Sequence, residues 1–181
     1  MHTQNLSAPE ALEKLKAGNK IYLDAKTCSG DISKGRRSDT SVNGQKPYAV
    51  IICCSDSRVI PEYIFSAGIG ELFVVRVAGN VIDNHQLGSI EYAAEHLGCK
   101  LAVVLGHTQC GAVGASANKN KGFVGFITDE IRCAIGEERD PVKASILNVK
   151  HSVLKIENSL KGLQVTGALY HTENGAVDFD I

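Results

Sequence analysis

The run Tyr48-Ala49-Val50-Ile51-Ile52-Cys53-Cys54 decides the fold. It is short, apolar and rich in β-branched side chains, which suits a strand buried on both faces of a sheet. Two later runs share this character: LFVVRV over 72–77 and LAVVL over 101–105. Between those two, Leu87, Ile90, Ala94 and Leu97 recur at helical spacing, with Asp83 placed to cap the helix and Gly98 to close it. Strands alternating with helices imply βαβ units, a parallel sheet and right-handed crossovers.

Upstream, residues 7–26 read as an amphipathic helix. Ser7 and Glu10 stand at capping-box spacing, and Leu12, Leu15, Tyr22 and Leu23 fall near one face. A polar stretch over 27–44, including Arg36-Arg37, reads as an extended surface arm or loop. Downstream, helical segments are predicted over about 111–118, 123–136 and 141–160. The last begins with Asp140-Pro141, an N-cap and first-turn pair, and carries Ile146, Val149, Val153, Ile156 and Leu160 at helical spacing. Apolar runs over 163–170 and 176–179 flank Glu173-Asn174-Gly175, which predicts a hairpin or edge strand. The expected architecture is a three-layer α/β fold. A mainly parallel sheet of about four to five strands is flanked by helices, with an N-terminal helical arm. One domain is expected over 1–181, with the arm over 1–44 and the core over 45–181.

Composition sets limits on function. The chain has 181 residues, enough for a full core. Lys and Arg total 19 against 20 Asp and Glu, so no basic excess points to nucleic acid. No apolar run approaches the roughly 20 residues needed to span a bilayer. Residues 1–7 carry no signal-peptide core, which suggests a cytoplasmic protein. The six cysteines are scattered through a chain with an adequate core, so free thiols are expected rather than a disulfide framework.

Chemistry concentrates in Cys54-Ser55-Asp56-Ser57-Arg58, answered by His107-Thr108-Gln109-Cys110-Gly111. Two thiolates and one imidazole form the ligand set of a three-protein-ligand zinc site with an open fourth position. Cys54 ends the first predicted strand and His107 follows the third, so the topology brings both to the carboxyl edge of one sheet. Alone, each pentapeptide is an ordinary strand end. Asp56 could ligate the metal or take a proton from bound water, and Arg58 could hold it away. Cys53 should face the opposite side of the strand and pack. His85 reads as a surface histidine that could shuttle protons. Arg76, inside an apolar run, needs a partner if buried.

These motifs, together with Phe73-Val74-Val75-Arg76-Val77-Ala78-Gly79-Asn80, Gly88-Ser89-Ile90-Glu91-Tyr92-Ala93 and Gly106-His107-Thr108-Gln109-Cys110-Gly111-Ala112, closely resemble the β-class carbonic anhydrases. The resemblance runs in order over about 44–113 and is weaker in the last helix and tail. It implies a lyase that reversibly hydrates carbon dioxide to bicarbonate by attack of zinc-bound hydroxide. It implies Zn2+ held by Cys54, His107 and Cys110, with Asp56 as a fourth ligand only in a closed state. It assigns Asp56 and Arg58 to a dyad, Gln45 to a substrate hydrogen bond and the Gly111 backbone N–H to the substrate pocket. It also implies a homodimer or tetramer, with the N-terminal helix embracing the neighbour and the site at the dimer interface. Neither nucleic acid nor membrane is implied as a partner.

Two departures matter. Family members with a non-catalytic bicarbonate site carry a tryptophan three residues before the first zinc cysteine, and Ile51 stands there. Although Arg76 matches that site's arginine, the expectation is no such regulation and an open zinc at neutral pH. The chain is also short for the family, which leaves the pocket residues after Gly111 unassigned. Hydrolysis of carbonyl sulfide or carbon disulfide on the same ligands is the rival chemistry, and a closed, non-catalytic zinc site is the rival class. Arg58 and Gln45 favour catalysis, because structural zinc requires neither.

Overall fold

A computed structural model of the chain describes residues 6–24, 30–179 and 181. Cys28, His2, the last two residues of the first predicted helix and the first three of the polar stretch after it lie outside the described residues. The strands are β1 (Ala49–Cys53), β2 (Leu72–Arg76), β3 (Leu101–His107), β4 (Gln164–Tyr170) and β5 (Val177–Asp178), ordered β2-β1-β3-β4-β5. All pairs are parallel except β4 with β5, which is antiparallel. The sheet is therefore mainly parallel and five-stranded, as expected. Gly175 (φ 85°) turns the chain between β4 and β5. The chain steps from β1 to β2 on one side, then crosses back to β3 on the other. The carboxyl ends of β1 and β3 thus flank a topological switch point, where open α/β sheets form their ligand crevice.

Alternation along β1 distributes its side chains between two layers. Ile51 and Cys53 join a core with Leu15 of α1 (Ala8–Asp24) and with Ile64 and Phe65 from and after α3 (Pro61–Ile64). Val50 and Ile52 join the opposite core with Ile90 of α4 (Asn84–Glu95) and Val149 and Ile156 of α7 (Pro141–Ser159). A full capping box starts α4, with Asp83 and Gln86 as its partners. Asp140 caps α7 through the N–H groups of Val142 and Lys143. Gly106 lets α7 approach the sheet, since a Cβ there would lie 2.4 Å from Val149 Cγ2. Among the described residues, no helix is long and apolar enough to cross a membrane.

Several local expectations are corrected. The polar stretch before β1 contains a helix, α2 (Lys34–Asn43), capped by Ser33 Oγ accepting from Arg36 N–H at 3.1 Å. None of its residues is buried, so no apolar period marks it. Its anchor is instead Arg36 Nε, which donates to Ile69 O at 2.8 Å. Leu23 is exposed, and Ala11 and Asn19 join Leu15 on the buried face of α1. Arg76 ends an edge strand and is exposed rather than buried.

Candidate metal centre

Cys54 directly follows β1, His107 is the last residue of the neighbouring β3, and Cys110 precedes the short helix α5 (Gly111–Ala115) as its N-cap. Register pairs Cys53 with Leu105, so β3 runs two residues past the end of β1, and Cys54 and His107 meet at the same edge of the sheet. Their metal-binding atoms lie within 4.8 Å of one another and all three residues are buried. Ligand atoms around one tetrahedral zinc stand about 3.3–3.8 Å apart, so little movement would close this set. A small apolar cluster including Val81, Val113, Ile131 and Ile135 surrounds the two thiols.

The surroundings prepare these side chains for a cation. His107 Nδ1 is 2.8 Å from Thr108 O, which fixes the proton on Nδ1 and leaves Nε2 as the lone-pair nitrogen. That Nε2 is buried without a hydrogen-bond partner, an arrangement that a metal ion would satisfy. Cys54 Sγ accepts N–H groups from Gly79 at 3.3 Å and Asp56 at 3.4 Å. The Cys110 thiol donates to Cys54 and, with these amides, holds Cys54 well below the usual thiol range despite its burial. Cys110, the donor in that pair, is pushed up. A cation between the sulfurs would replace the shared proton. The adjacent Cys53 faces the apolar core instead, and burial pushes it up to about 12.

Gly79 reaches Cys54 because the segment after β2 is clamped. Gly79 is left-handed (φ 68°), its carbonyl accepts from Asn148 Nδ2 at 2.7 Å, and Ser152 Oγ donates to Asn80 O at 3.1 Å. The glycine itself is a visible mark of positive φ, but its amide contact with Cys54 has no sequence signal.

Asp56 and Arg58 form a side-on pair. Arg58 Nε donates to Asp56 Oδ1 at 3.0 Å and Nη2 to Oδ2 at 2.8 Å, while the Arg58 backbone N–H donates to Oδ1 at 2.9 Å. The guanidinium holds the Asp56 carboxyl far below the usual carboxylate range. Both oxygens are thereby turned to Arg58, and Asp56 is not in the group of prospective ligands. Arg58 is gripped from the other loop by Gln109, through the backbone carbonyl at 3.2 Å and Oε1 at 3.4 Å. The Arg76 guanidinium donates to Asp56 O at 2.7 Å and Cys54 O at 3.3 Å. Its partners are thus two loop carbonyls.

The remaining residues fall elsewhere. Gly111 opens α5, exposed, with open space where a Cβ would stand. Gln45 is not brought to the trio within this chain. It is exposed beside Gly70, near the amino ends of β1 and β2, and the trio stands at the carboxyl ends. The four steps of β1 alone span about 13 Å. His85 is 96% exposed, against Asp83. A cavity of about 430 Å³ backs onto Cys110, with Val113, Ile135, Pro141 and Ala144 among its walls. A larger cleft of about 680 Å³ lies away from the trio, beside β5, and includes Lys16 and Lys150.

Comparison with known proteins agrees with the local chemistry. A family profile described as "Carbonic anhydrase" matches residues 49–177. Carbonic anhydrase 2 of Mycobacterium tuberculosis is 45% identical over 130 residues, covering 70% of this chain and 62% of that protein. The chain thus spans less than two thirds of that relative's length. The carbonic anhydrase of Mycolicibacterium smegmatis is 35% identical, with 96% of this chain and 94% of that one covered. Among solved structures, the β-carbonic anhydrase CafA of Aspergillus fumigatus superposes with a TM-score of 0.69 at 28% identity, covering 94% of this chain and 89% of that one.

Proposed function

The chain belongs to the β-class carbonic anhydrase family, and from that premise we propose that it reversibly hydrates carbon dioxide to bicarbonate and a proton. The observation that carries this reading is the buried trio Cys54, His107 and Cys110 beside an Asp56–Arg58 pair that keeps Asp56 off it. The trio would hold zinc through its two thiolates and one imidazole. When bound, zinc acidifies water and so supplies a nucleophile near neutral pH.

The chain's own groups then divide the work. Asp56, kept ionised by Arg58, is an acceptor that orients the attacking water and selects its protonation state. Gln45 and the Gly111 N–H stabilise charge growing on the substrate oxygens. The apolar walls around Val113 and Ile135 suit an apolar substrate. Ile51 is fully buried in a packed core, which leaves no tryptophan-built bicarbonate site and favours an open zinc.

We read residues 1–181 as one domain acting in a homodimer or tetramer. Gln45 sits at the far end of β1 from the trio, so a complete pocket needs this residue from a second copy. Among the described residues β2 is an edge strand of the sheet, which suits that partner. Buried free thiols suit a reducing compartment, which supports a cytoplasmic location.

Stopped-flow hydration of carbon dioxide on zinc-quantified protein, from about pH 6.5 to 9 beside Asp56→Asn, tests the assignment. Rapid hydration that the variant loses by roughly 10²-fold or more is expected. Activity confined to high pH would mean an aspartate-closed site. No hydration at full zinc occupancy would sink the reading, and sulfide release from carbonyl sulfide would be assayed next.

A further inference from the structure

His107 and Tyr170 form the last paired position between β3 and β4. One more sheet-like bond follows, from Thr108 N–H to Tyr170 O at 2.9 Å. Beyond it the chain leaves the ladder and turns through Gln109, whose φ is 57°. The carbonyl that fixes the His107 imidazole, Thr108 O, therefore lies where the sheet no longer holds the backbone.

Side chains hold it there. Thr108 is 4% exposed. Its Oγ1 donates to Glu173 Oε2 at 2.8 Å and accepts the Thr172 N–H at 3.0 Å. The Thr172 hydroxyl lies 3.0 Å away. An ionised carboxylate only accepts, so the single Thr108 proton is committed to Glu173 and the Thr172 hydroxyl must be the donor. One donor and two acceptor sites are then all used. On the far side, Glu173 Oε1 is tied to His171 Nδ1 at 3.3 Å. The turn between β4 and β5 thus meets the metal loop through one saturated hydroxyl.

We infer that Thr108 and Glu173 are positioning residues for the metal: the β4–β5 turn, acting through the Thr108 hydroxyl, fixes the carbonyl that orients the His107 imidazole. This rests on the zinc reading above. Partners that orient a ligating histidine set its tautomer and ring direction, and their loss typically weakens metal binding by about 10–100-fold.

The test measures zinc dissociation constants by competition with a chromophoric chelator for the wild type, Thr108→Val, Thr108→Ser and Glu173→Ala. The visible spectrum of each cobalt-loaded protein and the thermal midpoint of each metal-free protein accompany them. Glu173→Ala and Thr108→Val are expected to bind zinc about 10–100-fold more weakly, with altered cobalt bands. Thr108→Ser keeps the hydroxyl and should stay within about threefold of wild type. Glu173 is a half-exposed side chain, so its truncation keeps the test valid if Thr108→Val fails to fold. Zinc binding by Glu173→Ala within about threefold of wild type overturns the inference, whatever Thr108→Val does. A wild type that takes up no zinc removes the metal reading itself, and this inference with it.

Discussion

The backbone carbonyl of Gln109 accepts from Arg58 Nη2 at 3.2 Å, and its side-chain Oε1 lies 3.4 Å from Nη1. Gln109 sits between the two ligands of the second loop, and Arg58 carries the carboxylate of the first. The contact therefore ties the dyad to the prospective metal loop. Gln109 adopts φ 57°, a left-handed conformation that costs a non-glycine residue about 1–2 kcal/mol.

Gln109→Ala keeps the backbone contact and removes the longer side-chain bond. Its kcat/KM for carbon dioxide should fall by about 3–10-fold, or roughly 0.7–1.4 kcal/mol of transition-state stabilisation. Gln109→Gly should lose activity similarly while gaining about 1 kcal/mol in stability from the relaxed backbone. Chemical denaturation beside the rate assay separates the two effects. Parallel loss of both quantities in Gln109→Gly would reduce the residue to a structural part.

Gly79→Ala addresses one of the two amide donors to Cys54. A Cβ there would stand 2.7 Å from Ile131 Cδ1, and Ile131 is fully buried. The left-handed backbone adds about 1 kcal/mol and overpacking about 1–3 kcal/mol. Urea denaturation should therefore show a loss of about 2–4 kcal/mol, with weaker zinc binding as the Gly79 amide shifts. A loss below about 1 kcal/mol would mean that Ile131 gives way freely.

The elements legible in the sequence share one property: their signal is local. The apolar β-branched runs mark β1, β2 and β3, and Asp83 and the pair Asp140-Pro141 mark helix starts. The helix α2 was hidden because it buries none of its residues and is held by Arg36 reaching a distant carbonyl. Cys54, His107 and Cys110 could be proposed because strand ends converge by topology alone. Gln109, Gly79 and Glu173 could not, since each acts through a backbone angle or a contact between distant segments. Gln45 shows the limit differently. Its spacing from Cys54 is plain in the sequence, but only the strand between them reveals that one chain holds them apart.

His171 carries a pH prediction. Its Nε2 lies 2.8 Å from Asp178 Oδ2 and its Nδ1 3.3 Å from Glu173 Oε1. Asp178, and to a lesser degree Glu173, raise its pKa above the ordinary 6.5, against partial burial. A histidine raised on folding stabilises the fold fully below its unfolded value, and that contribution is lost as pH climbs through the raised folded value. Relative to His171→Gln, the wild type should therefore be more stable near pH 6, with the difference shrinking above 6.5. Denaturation midpoints of both proteins at about pH 6 and pH 8 check this. A difference that stays constant or grows with pH would exclude the carboxylate pairing as its source.

The placement of Gln45 yields the sharpest test of assembly. If each pocket combines Asp56 from one copy with Gln45 from another, Gln45→Ala and Asp56→Asn should complement each other. In a mixed dimer, the Gln45→Ala copy supplies an intact Asp56 and trio, and the Asp56→Asn copy supplies an intact Gln45. One of the two sites is then wild type and the other carries both changes. Co-expression at equal levels gives half mixed dimers, so roughly a quarter of all sites, and of wild-type activity, should return. Each variant alone should remain nearly inactive. If Gln45 instead served its own chain, both sites of every mixed dimer would carry one lesion, and activity would not exceed the mean of the two parents. Sedimentation of the co-expressed protein must show the dimer for the comparison to hold, and a stable, active monomer would end the shared-pocket reading at once.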